Sequence, residues 1–422
     1  MEQLNGTCED LTFNESIGYK KQEKGLATQS IHAGQKPENW MCRAIIPPIF
    51  TSVCYEQTIP RNMNDFFYTR LGNPTRSVLE ECLAALDKAK YAVTFSSGVS
   101  AIMTVITTLK NGDGIIASKQ FYSGTLDGLA IAERIGFDVQ YIDFTDLKNL
   151  EDALKPNTKL IWTETCMNPT MQVMDIKAIS DLVHTKSDAV VVVDNTFLTP
   201  YYCRPLELGA DIALYSLTKY FSGHSDILGG SVTMNSDELY KTVRYGQGAF
   251  GTMLSPFDCY LVNRSVKTLA LRMEKHSENS FKVAKFLESH PAVEQVNHPA
   301  LKSHKGHEIA MKQFSGHSGV FSFYLKGNSH EKAIKFFKGL RFIPICTSLG
   351  GIETTLAYPR EMSHPKFSDE DCFAMGVTYG LVRISVGIEE CDDIINDLRD
   401  ALDGIEKSGK NVEKIITKFE RL

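Results

Sequence analysis

Residues 211–226 read DIALYSLTKYFSGHSD, and this stretch decides the fold around it. Its residues 212–215 are apolar and predict a short buried strand, while the polar residues that follow predict a turn where the strand ends. The position of Lys219 at the end of a buried strand suits a lysine used for chemistry, because removal from water lowers the pKa of a lysine and lets its amine act as a nucleophile or a base. The hydroxyls of Ser216 and Thr218 can hold a phosphate. A solvated lysine in an ordinary loop is the alternative that this stretch leaves open.

A second buried strand is predicted upstream. Residues 189–193 read AVVVV, a continuous run typical of a strand covered on both faces, and Asp194 follows it. An acid in this position either caps a helix or partners a ligand. Next to a reactive lysine, a carboxylate meets the need of pyridoxal 5′-phosphate (PLP), whose ring nitrogen must stay protonated for the ring to accept electrons.

The segments VDNT (193–196) and SLTKYFSGHSD (216–226) resemble the signature of the Cys/Met metabolism, or trans-sulfuration, family of PLP-dependent enzymes. The similarity extends from about Gly25 to about Leu402. Within the family the chain is most similar to animal-type cystathionine γ-lyases, as in SPFDCYL and KTLALRMEKH, which begin at residues 255 and 267. The resemblance implies the fold of type I PLP-dependent transferases and PLP as cofactor. It also implies that Lys219 attaches PLP covalently and that Asp194 is the partner of its ring nitrogen.

A small turn is predicted to bind the phosphate of the cofactor. Ser97 and Gly98 follow a short apolar strand and open a predicted helix, where backbone N–H groups and the helix dipole favour an anion. A serine in this position often simply caps a helix. The resemblance implies a phosphate cradle built from the amides of Gly98 and Val99 and seated by Ser97, with Ser216 and Thr218 as further cofactor-binding residues.

Two more residues follow predicted strand ends. Tyr122 comes after the buried run GIIAS, and a tyrosine there can serve for packing alone. The resemblance implies instead that Tyr122 stacks on the pyridine ring and takes part in proton transfer. It also implies that Asn168 lies beside the phenolic oxygen of PLP.

Tyr68 and Arg70 lie in a turn-rich loop, and by themselves they would be surface residues. The resemblance implies that they reach across a dimer interface to the cofactor phosphate of the partner, a contact that suits the planar guanidinium of arginine. It implies a homotetramer, a dimer of dimers, whose active sites are shared across a dimer interface. Residues 25–66 are rich in helix breakers and are expected to form an extended arm. The resemblance implies that this arm embraces a neighbouring subunit.

Four residues are assigned to a small sulfur amino-acid substrate. Arg383 and Ser348 match the family's site for the substrate carboxylate, with Arg383 as a bidentate clamp. Glu353 matches a glutamate that favours cleavage of cystathionine at Cγ. Asp127 stands where cystathionine γ-lyases carry an arginine, which reverses the local charge and should attract an ammonium or repel a carboxylate.

The resemblance implies α,γ-elimination of cystathionine to cysteine, 2-oxobutanoate and ammonia. A cystathionine β-lyase or a broader methionine or homocysteine γ-lyase is the alternative, because Asp127 departs from the family pattern. A non-enzymatic relative on the same scaffold is a rival from another class. The presence of Lys219, Asp194, Tyr122 and Arg383 argues against that rival.

The order of the predicted elements indicates an α/β fold. Strands near 92–95, 114–118, 137–143, 159–163, 189–193 and 211–215 alternate with helical stretches. This alternation predicts a mostly parallel sheet with helices on both faces, which binds ligands at the carboxyl ends of its strands, plus a smaller C-terminal α/β domain. We predict an N-terminal tail and inter-subunit arm at 1–66, with a mobile tail up to about residue 24. A PLP-binding domain at 67–265 and a C-terminal domain at 266–422 follow.

The bulk properties exclude several classes of protein. The 422 residues carry 45 basic and 51 acidic side chains, and no basic tract indicates binding to nucleic acid or to a membrane surface. No apolar run approaches the length of a membrane span. Ten scattered cysteines fit reduced thiols and the N-terminus lacks a secretory signal, so we expect a cytoplasmic protein. His304 and His307 lack further ligands at a suitable spacing, so we expect no metal.

Overall fold

A computed structural model describes residues 11–60, 65–118, 120 and 122–406 of the chain. The strands of these residues are β1 (Tyr91–Phe95), β2 (Gly114–Ser118), β3 (Asp138–Ile142), β4 (Thr158–Glu164), β5 (Val190–Asp194), β6 (Ile212–Ser216), β7 (Gly230–Met234), β8 (Val293–Asn297), β9 (Val320–Leu325), β10 (Thr355–Ala357) and β11 (Leu381–Ser385).

The α-helices of the described residues are α1 (Phe13–Ser16), α2 (Leu26–His32), α3 (Pro74–Leu86), α4 (Gly98–Ile106), α5 (Ser123–Arg134), α6 (Leu147–Ala153), α7 (Ile176–Lys186), α8 (Thr199–Tyr202), α9 (Asp237–Phe250), α10 (Pro256–Val266), α11 (Leu269–Ser289), α12 (His307–Gln313), α13 (His330–Gly339), α14 (Pro359–Met362), α15 (Asp369–Ala374) and α16 (Cys391–Glu406). Two short 3-10 helices lie at Pro37–Asn39 and Pro205–Leu208. In this part of the chain no helix combines the length and the apolar character that crossing a membrane requires.

The larger sheet has seven strands in the order β1-β7-β6-β5-β4-β2-β3. Neighbouring strands from β3 to β6 are parallel, whereas β7 is antiparallel to both β6 and β1. Strand β1 therefore runs in the same direction as β6. The mostly parallel sheet expected from the sequence is confirmed, and β7 is a strand that the alternating pattern did not indicate.

The central strands are buried because their side chains are apolar on both faces. Val191, Val192 and Val193 of β5 are completely buried, as is Trp162 of β4. Such β-branched side chains pack well on a pleated surface that is covered on both sides. Burying one of them contributes about 1.5–3 kcal/mol to stability. These strands form a rigid base, and their carboxyl ends carry the site described below.

A second sheet lies in the C-terminal part, with the order β10-β11-β9-β8 and antiparallel neighbours throughout. The sequence indicates β9 and β11 but not the other two strands. The long helical pattern at 256–290 corresponds to two helices, α10 and α11, separated at Lys267 and Thr268. The seven-stranded sheet lies within residues 67–265, and the division into domains stays a prediction.

The segment at 11–24 is anchored, so the expectation of a mobile tail is wrong for these residues. A capping box starts α1. Buried Asn14 accepts a 2.8 Å hydrogen bond from Ser277 Oγ and donates one of 3.2 Å to the hydroxyl of Tyr202. Tyr19 is buried as well. These contacts join residues that are far apart in the chain, so no local sequence pattern predicts them. The first ten residues lie outside those described.

Candidate active site

Five residues predicted to serve the cofactor follow strands of the larger sheet that run in one direction. Ser97 follows β1, Tyr122 follows β2, Asn168 follows β4, Asp194 ends β5 and Lys219 follows β6. Because these strands share a direction, their carboxyl ends meet at one edge of the sheet. This edge is where ligands bind in such folds.

The residues at this edge line a cavity of about 660 Å³. A cavity of that volume is typical of a site for a small molecule. The predicted residues that line it from the larger sheet and its loops are Ser97, Gly98, Val99, Tyr122, Asp127, Asn168, Asp194, Ser216, Thr218 and Lys219. Ser348 and Arg383 line it from the C-terminal part.

Lys219 is half-buried at the centre of the site. Its Nζ donates a 2.5 Å hydrogen bond to Ser348 Oγ. Burial and the nearby guanidinium of Arg383 lower the pKa of Lys219 to about 8, against the opposing charge of Asp194. Its place in a cavity and its lowered pKa favour a reactive amine over a solvated lysine in an ordinary loop.

The turn after Lys219 is held by Arg272, which the sequence analysis did not assign to the site. Arg272 is buried, and its Nη1 donates a 2.5 Å hydrogen bond to the carbonyl of Tyr220. Gly223 has a φ of 67°, and a Cβ at this position would collide with the guanidinium of Arg272. Glycine is thus required both by the left-handed backbone and by the close approach of Arg272.

Asp194 and Glu164 are register partners on the parallel strands β5 and β4. Asp194 Oδ1 accepts a 2.9 Å hydrogen bond from the backbone N–H of Thr196. Glu164 is buried and accepts the backbone N–H groups of Tyr122 at 3.1 Å and Asn168 at 3.3 Å. Burial raises the pKa of both carboxyl groups, and the charge of Asp194 raises that of Glu164 further. Glu164 was not predicted, although it ends its strand as Asp194 does.

The predicted phosphate cradle combines a helix N-terminus with side-chain hydroxyls. Ser97 caps α4, because its Oγ accepts a 3.0 Å hydrogen bond from a backbone N–H of the first turn. A Cβ at Gly98 would lie 3.4 Å from Ser216 Oγ, so the start of α4 and this hydroxyl face one space. Thr218 Oγ1 accepts a 3.1 Å hydrogen bond from the N–H of Gly229, which fixes the turn. Ser97 thus caps its helix and lines the cavity as well.

Tyr122 is 41% exposed and faces the cavity. Partial burial raises the pKa of its hydroxyl, and the carboxylates of Asp194 and Asp127 add to this effect against the charge of Arg383. The position of Tyr122 therefore favours a role at the site over packing alone.

Arg383 is placed to bind an anion. Its Nη2 donates a 2.6 Å hydrogen bond to the carbonyl of Ser348, and its Nη1 donates one of 3.2 Å to Asn168 Oδ1. Its Nε is buried and has no hydrogen-bond partner among the described residues. Burial lowers the pKa of Arg383 to about 10. Ser348 has a φ of 74°, a strained conformation for a serine and one that recurs at functional sites.

Three predicted residues do not line the cavity of their own chain. The guanidinium carbon of Arg70 lies 5.6 Å from the ring centroid of Tyr68, and Arg70 Nη1 donates a 2.6 Å hydrogen bond to the carbonyl of Gly248. Glu353 is exposed and also lies outside the lining. Thr347, which was not predicted, lines the cavity beside Ser348.

The two histidines considered as metal ligands, His304 and His307, form hydrogen bonds with backbone groups. His304 Nδ1 accepts the N–H of Gly306 at 3.0 Å, and His307 Nδ1 lies 3.0 Å from the carbonyl of Pro299. Burial lowers the pKa of His304 to about 4. Across the described ranges, no group of three or more His, Cys, Asp or Glu side chains is arranged to hold a metal ion.

The groups present in the cavity fit PLP. The amine of Lys219 can join an aldehyde, and the carboxylate of Asp194 can pair with a protonated pyridine nitrogen. The N-terminus of α4 and the hydroxyl of Ser216 offer donors to a phosphate. The unpartnered Nε of Arg383 remains for the carboxylate of an amino acid.

The chain is similar to several named proteins and to solved structures. The cystathionine gamma-lyases of Sus scrofa and Homo sapiens are each 44% identical to it over 388 residues, which is 92% of this chain and 96% of theirs. The crystal structure of cystathionine gamma-lyase from Lactobacillus plantarum complexed with L-serine is similar with a TM-score of 0.87 and 35% identity, covering 90% of this chain and 99% of that chain. The crystal structure of metB from Corynebacterium glutamicum gives a TM-score of 0.85 and 39% identity, covering 90% and 98%.

A family model agrees with these relatives. The model described as Cys/Met metabolism PLP-dependent enzyme matches residues 27–403, which include both sheets and every residue that lines the cavity. The expected resemblance is thereby confirmed: the chain belongs to the Cys/Met metabolism family of PLP-dependent enzymes.

Proposed function

We propose that this protein is a carbon–sulfur lyase that carries out the α,γ-elimination of cystathionine, giving cysteine, 2-oxobutanoate and ammonia. The observation that carries the proposal is the amine of Lys219, which is hydrogen-bonded to Ser348 in a cavity that Arg383 also lines. A base for Cα and a cation for the carboxylate of an amino acid thus share one site. Similarity to proteins named cystathionine gamma-lyase supports the choice of substrate.

PLP supplies, when bound, an electron-withdrawing ring that takes up the negative charge left after a proton leaves the substrate. The residues that would hold it are Lys219 by a covalent bond, Asp194, Tyr122 and Asn168 at the ring, and Ser97, Gly98, Val99, Ser216 and Thr218 at the phosphate.

Lys219 is the group we assign to proton transfer. A general base works best when its pKa lies near the working pH, and the pKa of this amine is lowered to about 8. We expect Nζ to take the proton from Cα of the substrate and to move protons at Cβ while a thiol leaves from Cγ. Tyr122 lines the same cavity and assists this transfer.

Arg383 orients the substrate. Its unpartnered Nε and its bonded Nη atoms form a planar fork that suits the α-carboxylate of an amino acid. Ser348 contacts both Arg383 and Lys219, so the carboxylate and the proton-transfer group are tied to one loop. Gly350 of this loop packs closely against the turn after Lys219, since a Cβ at Gly350 would lie 2.8 Å from the backbone nitrogen of Tyr220.

A cystathionine β-lyase, or a broader γ-lyase for methionine or homocysteine, is the second candidate. Asp127 favours it, because this acid lines the cavity and repels the carboxylate that an arginine would attract. Glu353 was expected to favour cleavage at Cγ, but its position outside the cavity lining gives the first candidate no support by direct contact.

We also propose a cytoplasmic homotetramer, a dimer of dimers in which Tyr68 and Arg70 complete the site of the partner subunit. Their position outside the cavity of their own chain supports this assignment. The arm exposes large apolar side chains, which are typical of an interface; these are Met41, Ile45, Ile46, Val53 and Ile59. The cysteines of the described residues are free, as is usual in the cytosol.

Product analysis of the purified, PLP-loaded protein with cystathionine tests the proposal. Formation of 2-oxobutanoate and cysteine supports it, whereas pyruvate and homocysteine would identify a β-lyase. If neither pair forms but methionine or homocysteine is consumed, the broader γ-lyase is correct, and Asp127→Arg should then raise the rate with cystathionine. A colourless protein that ignores added PLP would support a non-enzymatic relative.

A further inference from the structure

Two charged side chains that line the cavity are not paired with any other group of the described residues. The charged residues that line it are Glu164, Asp194, Lys219, Arg383, Asp127 and Lys366. The first four are engaged in hydrogen bonds with backbone or side-chain groups. The side chains of Asp127 and Lys366 form no hydrogen bond or ion pair with any residue in the described ranges.

The segment that carries Lys366 has two other basic side chains, those of Arg360 and His364. Arg360 begins the same segment after β10, and its Nη2 lies 2.6 Å from Asp369 Oδ1. His364 is buried, and burial lowers its pKa, which favours the neutral ring. Lys366 is therefore the charged group that this segment presents to the cavity.

An unpaired acid and an unpaired base in one cavity are complementary to a ligand that carries a positive charge for the acid and a negative charge for the base. The ammonium and carboxylate of an amino acid form such a pair. Leu126, Met362 and Phe367 also line the cavity and offer apolar contacts to a thioether chain. Arg383 and Lys219 already serve one amino-acid end, so the remaining charges fit a second.

We infer that Asp127 and Lys366 bind the second amino-acid end of a substrate that has two such ends joined by a thioether. Asp127 accepts hydrogen bonds from the ammonium, and Lys366 donates to the carboxylate. The inference rests on the proposed function and deepens it, because it makes Lys366 a specificity-determining residue. Lys366 supplies the positive charge that Asp127, which stands in place of an arginine, does not provide. The cavity thus favours a bis-amino-acid thioether over methionine, whose methyl end offers nothing to either charge.

Kinetics with two ligands test this assignment. The PLP-loaded wild type and the variants Asp127→Asn and Lys366→Ala are compared by KM for L-cystathionine and by Ki for L-methionine, which lacks a second charged end. We expect KM for cystathionine to rise about fivefold in each variant and about 25-fold in the double variant, with Ki for methionine changed by less than about twofold. Lys366→Arg should keep the wild-type KM, and Lys326→Ala, at an exposed lysine outside the cavity, is the control.

The outcomes separate this inference from the proposed function. Unchanged KM values, or equal losses for cystathionine and methionine, would overturn the role of the pair while cleavage by the wild type still supports the proposed function. A wild type that releases no product from cystathionine would contradict the proposed function. The dissociation constant of cystathionine, measured through the visible absorbance of bound PLP in the same variants, would then decide the role of the pair.

Discussion

Glu164 accepts the backbone N–H of Tyr122 through Oε1 at 3.1 Å, so a buried carboxylate at the end of β4 fixes the tyrosine that follows β2. The other carboxylate oxygen accepts the N–H of Asn168 at 3.3 Å. One side chain therefore holds two residues assigned to the cofactor ring. Asn168 lies only four residues after Glu164, but Tyr122 comes from a distant segment, so no local sequence pattern indicates this bridge.

Glu164→Gln should lower kcat by about ten- to a hundredfold. The amide nitrogen of glutamine cannot accept a hydrogen bond, so one of the two backbone N–H groups loses its partner and its loop shifts. Steady-state kinetics of the PLP-loaded protein measure the effect, with Glu151→Gln at an exposed position of α6 as the control. A wild-type kcat in Glu164→Gln would rule out the positioning role.

Uptake of PLP by the apoprotein should accelerate as the pH rises through about 8. The pKa of Lys219 is lowered to about 8 by burial and by Arg383, and only the neutral amine attacks an aldehyde. The protonated amine predominates below this pH, and the neutral amine predominates above it. Stopped-flow absorbance after mixing apoprotein with PLP gives the rate at each pH. A midpoint near 10.4, the ordinary pKa of lysine, would contradict the effect of burial.

The parts of the fold that the sequence predicts are those determined by local pattern. The run at 190–193 is apolar on both faces and forms β5, and the apolar run ending at Tyr215 forms β6. Because consecutive parallel strands place their carboxyl ends together, Asp194 and Lys219 could be assigned to one site before any contact was known.

The remaining features depend on contacts between distant segments. Asn14 is buried only because Ser277 and Tyr202 offer it hydrogen bonds, and a polar stretch otherwise predicts disorder. Lys366 lies between the short helices α14 and α15, and its position at the cavity depends on how this segment packs against the rest of the chain. Glu353 is the opposite case: its sequence matches a family motif, but its side chain does not line the cavity.

Asn14→Ala should destabilise the protein by about 1–3 kcal/mol, because it leaves the buried hydroxyls of Ser277 and Tyr202 short of a partner. Thermal or urea unfolding of the PLP-loaded protein measures the loss. Asn149→Ala, at an exposed asparagine, should change stability by no more than about 0.5 kcal/mol. Equal stability of the two variants would mean that the N-terminal segment contributes little.

Mixing two inactive variants tests whether active sites are shared. Arg70→Ala should lose cofactor affinity and activity, and Lys219→Ala should lose activity altogether. In randomly re-paired dimers of the two, about half are hybrids with one intact site each, so about a quarter of the wild-type activity should return. Lys219→Ala mixed with Asp194→Ala is the matched control and should recover nothing, because both residues belong to one chain's cavity. Failure of the first mixture, with subunit exchange verified, would refute the shared site.

The central claim is that the amine of Lys219, bonded to Ser348 in the cavity, is the point at which this chain attaches PLP. Reduction of the PLP-loaded protein with borohydride, followed by peptide mass spectrometry, tests it directly. We predict that the reduced cofactor mass lies on Lys219 alone, and that Lys219→Ala keeps its folded circular dichroism spectrum but shows neither the label nor turnover of cystathionine. A label on another lysine, or normal turnover by Lys219→Ala, would contradict the claim.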